Sequence, residues 1–145
     1  MTRSIDQAAL RHHQEAALSV LSRGVACLED GQAAVLAASP RLRQELADVL
    51  GAYQQFKHER VFDPAIASGD EQRSVLARHM KVGCIAAGEV FRAHMGRWSA
   101  DDIAADWPRY KVAARLTANQ LRRHIQNEGE GIAELIAAYG EEAVP

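Results

Sequence analysis

This chain of 145 residues has few cysteines, few aromatic residues and no long apolar run. Its two cysteines, Cys27 and Cys84, match no metal-binding or redox spacing, so we expect reduced thiols buried in helices. Aromatic residues make up 6% of the chain and no long basic stretch occurs, which argues against a nucleic-acid partner. No segment approaches the roughly 20 apolar residues of a membrane span, and the first residues lack the apolar part of a signal peptide. We therefore predict a cytoplasmic protein without a membrane partner.

What the sequence does contain is an ordinary globular composition. Hydrophobic residues make up 48% of the chain and charged residues 25%, with a net charge of −2. A chain of this length can bury a core without disulfide or metal support. Because no linker, repeat or low-complexity tract divides it, we predict a single domain over residues 1–145.

Apolar residues recur with the period of a helix, and no convincing alternating strand pattern occurs. We predict a first helix from just after Ser4 to residue 30, and a connector or helical turn over residues 32–38. The second helix should begin at Ser39-Pro40, where proline takes the first helical position, and end at Pro64.

A third helix should run from near Asp70 to residue 98, and a capping box at Ser99 should open a short turn through residue 105. A fourth helix should cover residues 107–139. Long helices joined by short polar links predict an all-α fold, an up-down-up-down antiparallel four-helix bundle.

Four histidines fall at one level of such a bundle. His13 lies early in the first helix, His58 late in the second, His79 early in the third and His124 in the second half of the fourth. Glu128 follows His124 by four residues, so both side chains can reach one point. Several neutral imidazoles and a carboxylate suit iron, and also zinc or manganese. We therefore predict a metal site formed by His13, His58, His79, His124 and Glu128.

The segment His124-Ile125-Gln126-Asn127-Glu128 resembles the His-Ile-x-x-Glu signature in the last helix of hemerythrin-like (HHE cation-binding) domains. The pair His12-His13 resembles the Asp-His entry of the first helix in that family. The segment from Phe56 to Pro64 resembles the second-helix stretch, and the similarity covers about residues 8–136. The resemblance implies a bundle that holds non-haem iron, mononuclear or di-iron, and that binds or senses oxygen, nitric oxide or redox state.

The ligand set differs from the family pattern. Counted back from Pro64, His58 stands where the family has a glutamate, and Gln54 stands where it has a histidine. Gly83 lies near the third-helix ligand position, so we predict that His79, one turn earlier, substitutes for it. Nothing in the sequence demands catalytic turnover, so we predict a binding protein rather than an enzyme.

Two readings without a metal stay open. In the first, His79 is the exposed phosphorylated histidine of a phosphotransfer bundle, with Lys81 and Gly83 beside it. In the second, the bundle serves contact with a signalling or other protein partner. The exposure of His79 separates the phosphotransfer hypothesis from the predicted metal site. Phosphotransfer requires His79 at the surface, and the metal site requires it inside the bundle.

Overall fold

The computed structural model describes the backbone of residues 2–142 and the side chains of residues 6–137. Within this part the chain is all-α and contains no strand, which confirms the predicted fold class. Four long helices contribute most of the structure: α1 (Thr2–Asp30), α2 (Gln32–Lys57), α4 (Glu71–Arg97) and α6 (Trp107–Glu142). Two short helices, α3 (Asp63–Ile66) and α5 (Ala100–Ala105), lie between them, and a π-helical segment (His58–Phe62) joins α2 to α3.

The turn between α1 and α2 is a single residue, Gly31. Its φ of 108° lies in a region that favours glycine, and the N–H of Val35 donates to its carbonyl oxygen at 3.1 Å. Of the two alternatives for residues 32–38, the connector is wrong and the helical conformation is confirmed, because α2 begins directly at Gln32 and runs through them. Pro40 lies inside α2 rather than at its start; it lacks an N–H group and occupies an exposed position. The predicted start after Ser4 is also wrong, since α1 already includes Thr2.

The second helix does not end at Pro64 as predicted. The π-helical segment follows Lys57, and the N–H of Asp63 donates to the carbonyl of His58, five residues back. Pro64 lies in the first turn of α3, where its missing N–H needs no helical partner. Because a π turn holds more residues than an α turn, this segment resets which side chains of the following residues face inward.

The predicted starts of the later helices are confirmed. The Asp70 side chain accepts a hydrogen bond from the N–H of Arg73 at 3.1 Å and caps α4. Ser99 and Asp102 form the reciprocal capping box that opens α5. These short polar motifs act within one turn, so the local sequence is sufficient to encode them.

The long helices pack around two apolar clusters. α1 contacts α2 and α6, and α4 contacts α6, α3 and the π-helical segment. The larger cluster contains Tyr53, Phe62 and Ile132, all nearly inaccessible, and the smaller one surrounds Trp98 and Ile103. No helix within the described residues has the length and apolar character needed to cross a membrane.

Candidate polar centre

An ion pair lies inside the larger cluster. Lys57 is the last residue of α2, and its Nζ is 2.6 Å from Oε1 of Glu128 on α6. Each side chain is only 5% exposed. The Lys57 ammonium also lies 4.1 Å from the centre of the Tyr53 ring, one turn earlier on α2, in a cation–π contact. The carboxylate of Glu128 therefore has a lysine ammonium group as its neighbour in a buried position.

His124 reaches the second carboxylate oxygen of Glu128. It lies one turn earlier on α6, and its Nε2 is 3.0 Å from Oε2. The ring N–H is not aligned with that oxygen as a good hydrogen bond requires, so neither buried atom has a hydrogen-bond partner among the described residues. Burial raises the pKa of the Glu128 carboxyl, but His124 and Lys57 together outweigh burial and hold that pKa below its usual value. The carboxylate is consequently ionised at neutral pH.

Neutral polar side chains surround the ion pair. The Gln14 amide of α1 donates to the Tyr53 hydroxyl at 3.4 Å. Burial, with a contribution from the Glu128 charge, raises the pKa of Tyr53 strongly. Burial also raises the pKa of the Cys84 thiol on α4, against an opposing effect of Lys57. Both groups stay protonated at neutral pH, so Lys57 and Glu128 carry the formal charges here.

A cavity of about 230 Å³ lies between α2 and α4 and reaches this centre. Lys57, His124 and Cys84 contribute to its wall. Gly51 of α2 and Gly88 of α4 line the same cavity. In a binding experiment, ions added to the solution can therefore approach the ion pair through this cavity.

Of the five residues predicted to bind metal, the structure brings His124 and Glu128 into contact. His58 lies in the π-helical segment, and its buried Nε2 has no hydrogen-bond partner among the described residues. Its ring centroid is 5.6 Å from that of Phe62. Burial, followed by the charge of Lys81, lowers the pKa of His58, and the Glu128 charge is a weaker opposing influence. His58 is thus near the centre without touching the carboxylate pair.

The other two histidines lie elsewhere. The His13 ring is half-buried and stacks on Phe56 with 5.1 Å between ring centroids, and on Tyr53 with 6.1 Å. Burial, with a smaller effect of His12, lowers the pKa of His13. His79 is exposed on the outer side of α4. The structure therefore does not gather the five predicted ligands at one point.

The residues present do not fit a shared metal ion in this arrangement. Among residues with described side chains, no three histidine, cysteine, aspartate or glutamate groups converge as a metal site would require. Glu128, the one carboxylate predicted as a ligand, already accepts from an ammonium group. The assignment of these residues as ligands, and the choice among iron, zinc and manganese, stay predictions.

Two of the residues that the phosphotransfer hypothesis places beside His79 are directed toward other parts of the structure. The Lys81 ammonium donates to the Asp63 carboxylate at 2.7 Å, so its side chain is directed toward α3. A Cβ added at Gly83 would lie 3.9 Å from the His124 ring, so this glycine faces α6 rather than the outer surface. Of the three residues in that hypothesis, only His79 has the surface position that it requires.

Lys57 is the central residue that the sequence analysis missed. It follows Leu50 by seven residues and Tyr53 by four, which places it on the apolar face of α2. A lysine on the apolar face of a helix indicates from the sequence that a charge is buried there, and it predicts an acidic partner on another helix.

Comparison of the chain with protein-family models, curated proteins and solved structures gave no match.

Proposed function

We propose that this chain is a hemerythrin-like bundle, with its four long helices in an up-down-up-down arrangement, in which Lys57 supplies the positive charge that a metal supplies in the family. Its function is then metal-independent contact with a protein partner. The observation that carries this proposal is the buried pair of Lys57 and Glu128, in contact with His124.

Charge balance at the buried carboxylate of Glu128 supports this proposal. A buried carboxylate needs a cation or several hydrogen-bond donors close to it. The Lys57 ammonium meets that need directly at Oε1, whereas the family pattern would meet it with iron. A metal ion at the second oxygen, Oε2, would add a second positive charge beside this ammonium, which is unfavourable at low dielectric.

The surface supports an interaction role. Large apolar side chains are exposed on α4, among them Val75 at 60% and Val82 at 67%. Contiguous exposed apolar residues on a soluble protein are typical of a binding surface. Binding of oxygen or nitric oxide would require the metal, and phosphotransfer would require Lys81 and Gly83 beside His79. The geometry therefore favours protein contact over both.

The test is the metal content of protein purified without an affinity tag and then incubated anaerobically with ferrous iron, zinc or manganese. Mass spectrometry of the desalted protein should find far less than one ion per chain, equally in wild type and in a His124→Ala variant. About one or two ions per chain in wild type, lost in His124→Ala, would overturn the proposal and support the predicted metal site.

A Lys57→Met variant tests directly whether the Lys57 ammonium prevents metal binding. If the ammonium is what keeps metal away, removing it should allow His124 and Glu128 to bind a divalent ion weakly. The matched control is Lys81→Met, which removes a lysine that pairs with Asp63 near the surface. Metal uptake by Lys57→Met alone supports the substitution of lysine for metal. Equal uptake by both variants and wild type contradicts it.

A further inference from the structure

The outer face of α4 carries most of the exposed large hydrophobic residues in the described part of the chain. Val75, Leu76, Val82, Ile85 and Val90 belong to α4, and the remaining two, Val112 and Leu116, belong to α6. The inner face of α4 is marked by buried Ala77, Cys84 and Phe91, spaced by seven residues. The two most exposed of the α4 residues, Val75 and Val82, therefore lie on the side of α4 opposite this buried face.

One row of this outer face has the spacing of a helix-pairing seam. Its residues follow each other at steps of four and three, and all are exposed; we call them the α4 seam: Val75, His79, Val82, Ala86, Glu89 and Ala93. A 4-3 repeat keeps side chains on the line where two helices meet over several turns. Two valines and two alanines make the seam largely apolar, although it faces solvent in the single chain.

We propose that the α4 seam pairs with the α4 seam of a second copy of this chain, antiparallel about a two-fold axis that passes between Val82 and Ala86, at the level of position 84. This inference rests on the proposed interaction function and names its partner. It deepens that proposal, because it assigns the same surface to self-association.

The seam is complementary to itself in the antiparallel direction only. Residues at equal distances on either side of position 84 would face each other, so Val82 meets Ala86 and Val75 meets Ala93. A large side chain thus faces a small one at each apolar level, which allows the two helices to approach closely. An isologous contact of this kind is the usual geometry of a homodimer.

The polar level of the seam agrees with this pairing. Antiparallel alignment places His79 of each chain opposite Glu89 of the other, so an imidazole faces a carboxylate twice. A parallel alignment would place Glu89 against Glu89, which brings two carboxylates together, and would leave each His79 facing another imidazole. Glu89 pairs with Arg92 at 2.9 Å in the single chain, but both side chains are more than half exposed and this contact is weak.

The size of the seam sets the strength of the dimer. From Val75 to Ala93 a helix rises about 27 Å, at roughly 1.5 Å per residue. A contact limited to one helix pair of this length falls below the roughly 1,200 Å² of a standard stable interface. We therefore expect a weak, concentration-dependent dimer, with Leu76, Ile85 and Val90 at its edges.

Sedimentation velocity from low micromolar to near-millimolar protein is the test. Wild type should shift from monomer to dimer across that range, and Val82→Glu should stay monomeric. The matched control is Leu116→Glu on α6, which places the same charge at a comparably exposed leucine. It should dimerise like wild type. A monomeric wild type at every concentration, or equal loss in both variants, would overturn the proposal.

A charge exchange tests the direction of pairing. Glu89→Lys removes the carboxylate that faces His79 and puts a lysine in its place, so it should weaken the dimer by roughly tenfold or more. The double variant with His79→Glu should restore dimerisation. Failure of the double variant to recover would contradict the antiparallel register. Metal content is measured separately, so failure of the dimer and failure of the metal-independent centre give different results.

Discussion

At the scale of single residues, the buried contact between Lys57 and Glu128 is the most consequential feature. Two charges removed from water each lose several kcal/mol of solvation, and their attraction offsets that loss only while both are present. The Tyr53 ring beneath the ammonium and His124 beside the carboxylate add to the favourable side. The centre is therefore sensitive to the loss of one partner and tolerant of the replacement of both.

Replacing Lys57 with methionine should lower the free energy of unfolding by about 3–5 kcal/mol, the usual result of leaving one buried charge unpaired. Urea unfolding followed by circular dichroism measures this change. The double variant Lys57→Met, Glu128→Leu should recover much of the loss, because apolar side chains of similar size then replace the pair.

The comparison for this prediction is Lys81→Met. The Lys81 and Asp63 side chains are 33% and 52% exposed, so their pair is screened by water and should contribute about 1 kcal/mol or less. If Lys57→Met destabilises no more than Lys81→Met, the buried pair does not have the role assigned to it.

At the scale of elements, helix ends divide into those encoded locally and those imposed by packing. Asp70 and Ser99 cap their helices through hydrogen bonds that span three residues, as their motifs predict. Pro40 and Pro64 were expected to mark helix ends, yet both lie within helical segments. Apolar contacts along α2 maintain the helix across Pro40, because one missing hydrogen bond costs less than the loss of a packed helix face.

Asp70→Ala should lower the free energy of unfolding by about 1 kcal/mol, because the N–H of Arg73 loses its acceptor. Asp70→Asn should stay close to wild type, since the amide oxygen can accept the same hydrogen bond. Thermal or urea unfolding of the two variants checks this. A similar loss in both would assign the effect to the carboxylate charge rather than to the cap.

At the scale of the whole molecule, partly buried histidines couple stability to pH. Burial is the main cause that lowers the pKa of His13, His58 and His94 below their usual 6.5, with Arg43 contributing at His94. Below that value the unfolded chain takes up protons that the folded chain resists. Stability therefore declines as the pH falls through 6.5 toward the lower folded pKa values.

We expect the free energy of unfolding to decrease steadily from pH 7 to pH 5. Below the usual 4.5 of a glutamate, Glu128 adds a second decrease, because its pKa is lowered in the folded state and its stabilisation is lost as the carboxylate takes up a proton. Urea unfolding at a series of pH values measures both. His58→Gln should flatten the first decrease, and a profile identical to that of wild type would exclude His58 as a contributor.

Much of the candidate site follows from local spacing, and part of it does not. The contact between His124 and Glu128 is a four-residue relation on one helix, which the sequence predicts before any tertiary structure is known. The all-α class and the caps at Asp70 and Ser99 follow in the same way. These features depend on residues within one or two turns.

Which of two adjacent residues enters the core is not a local property. Lys57 and His58 differ by about 100° around a helix, and packing against α6 with the π-helical segment beyond determines that Lys57 meets Glu128. His79 faces outward because Ala77 and Cys84 occupy the packed face of α4. The sequence by itself therefore determined the fold class, the helix caps and the pairing within α6. The tertiary structure decided the cation at the centre and the surface position of His79, because helix rotation is determined by contacts between residues far apart in the chain.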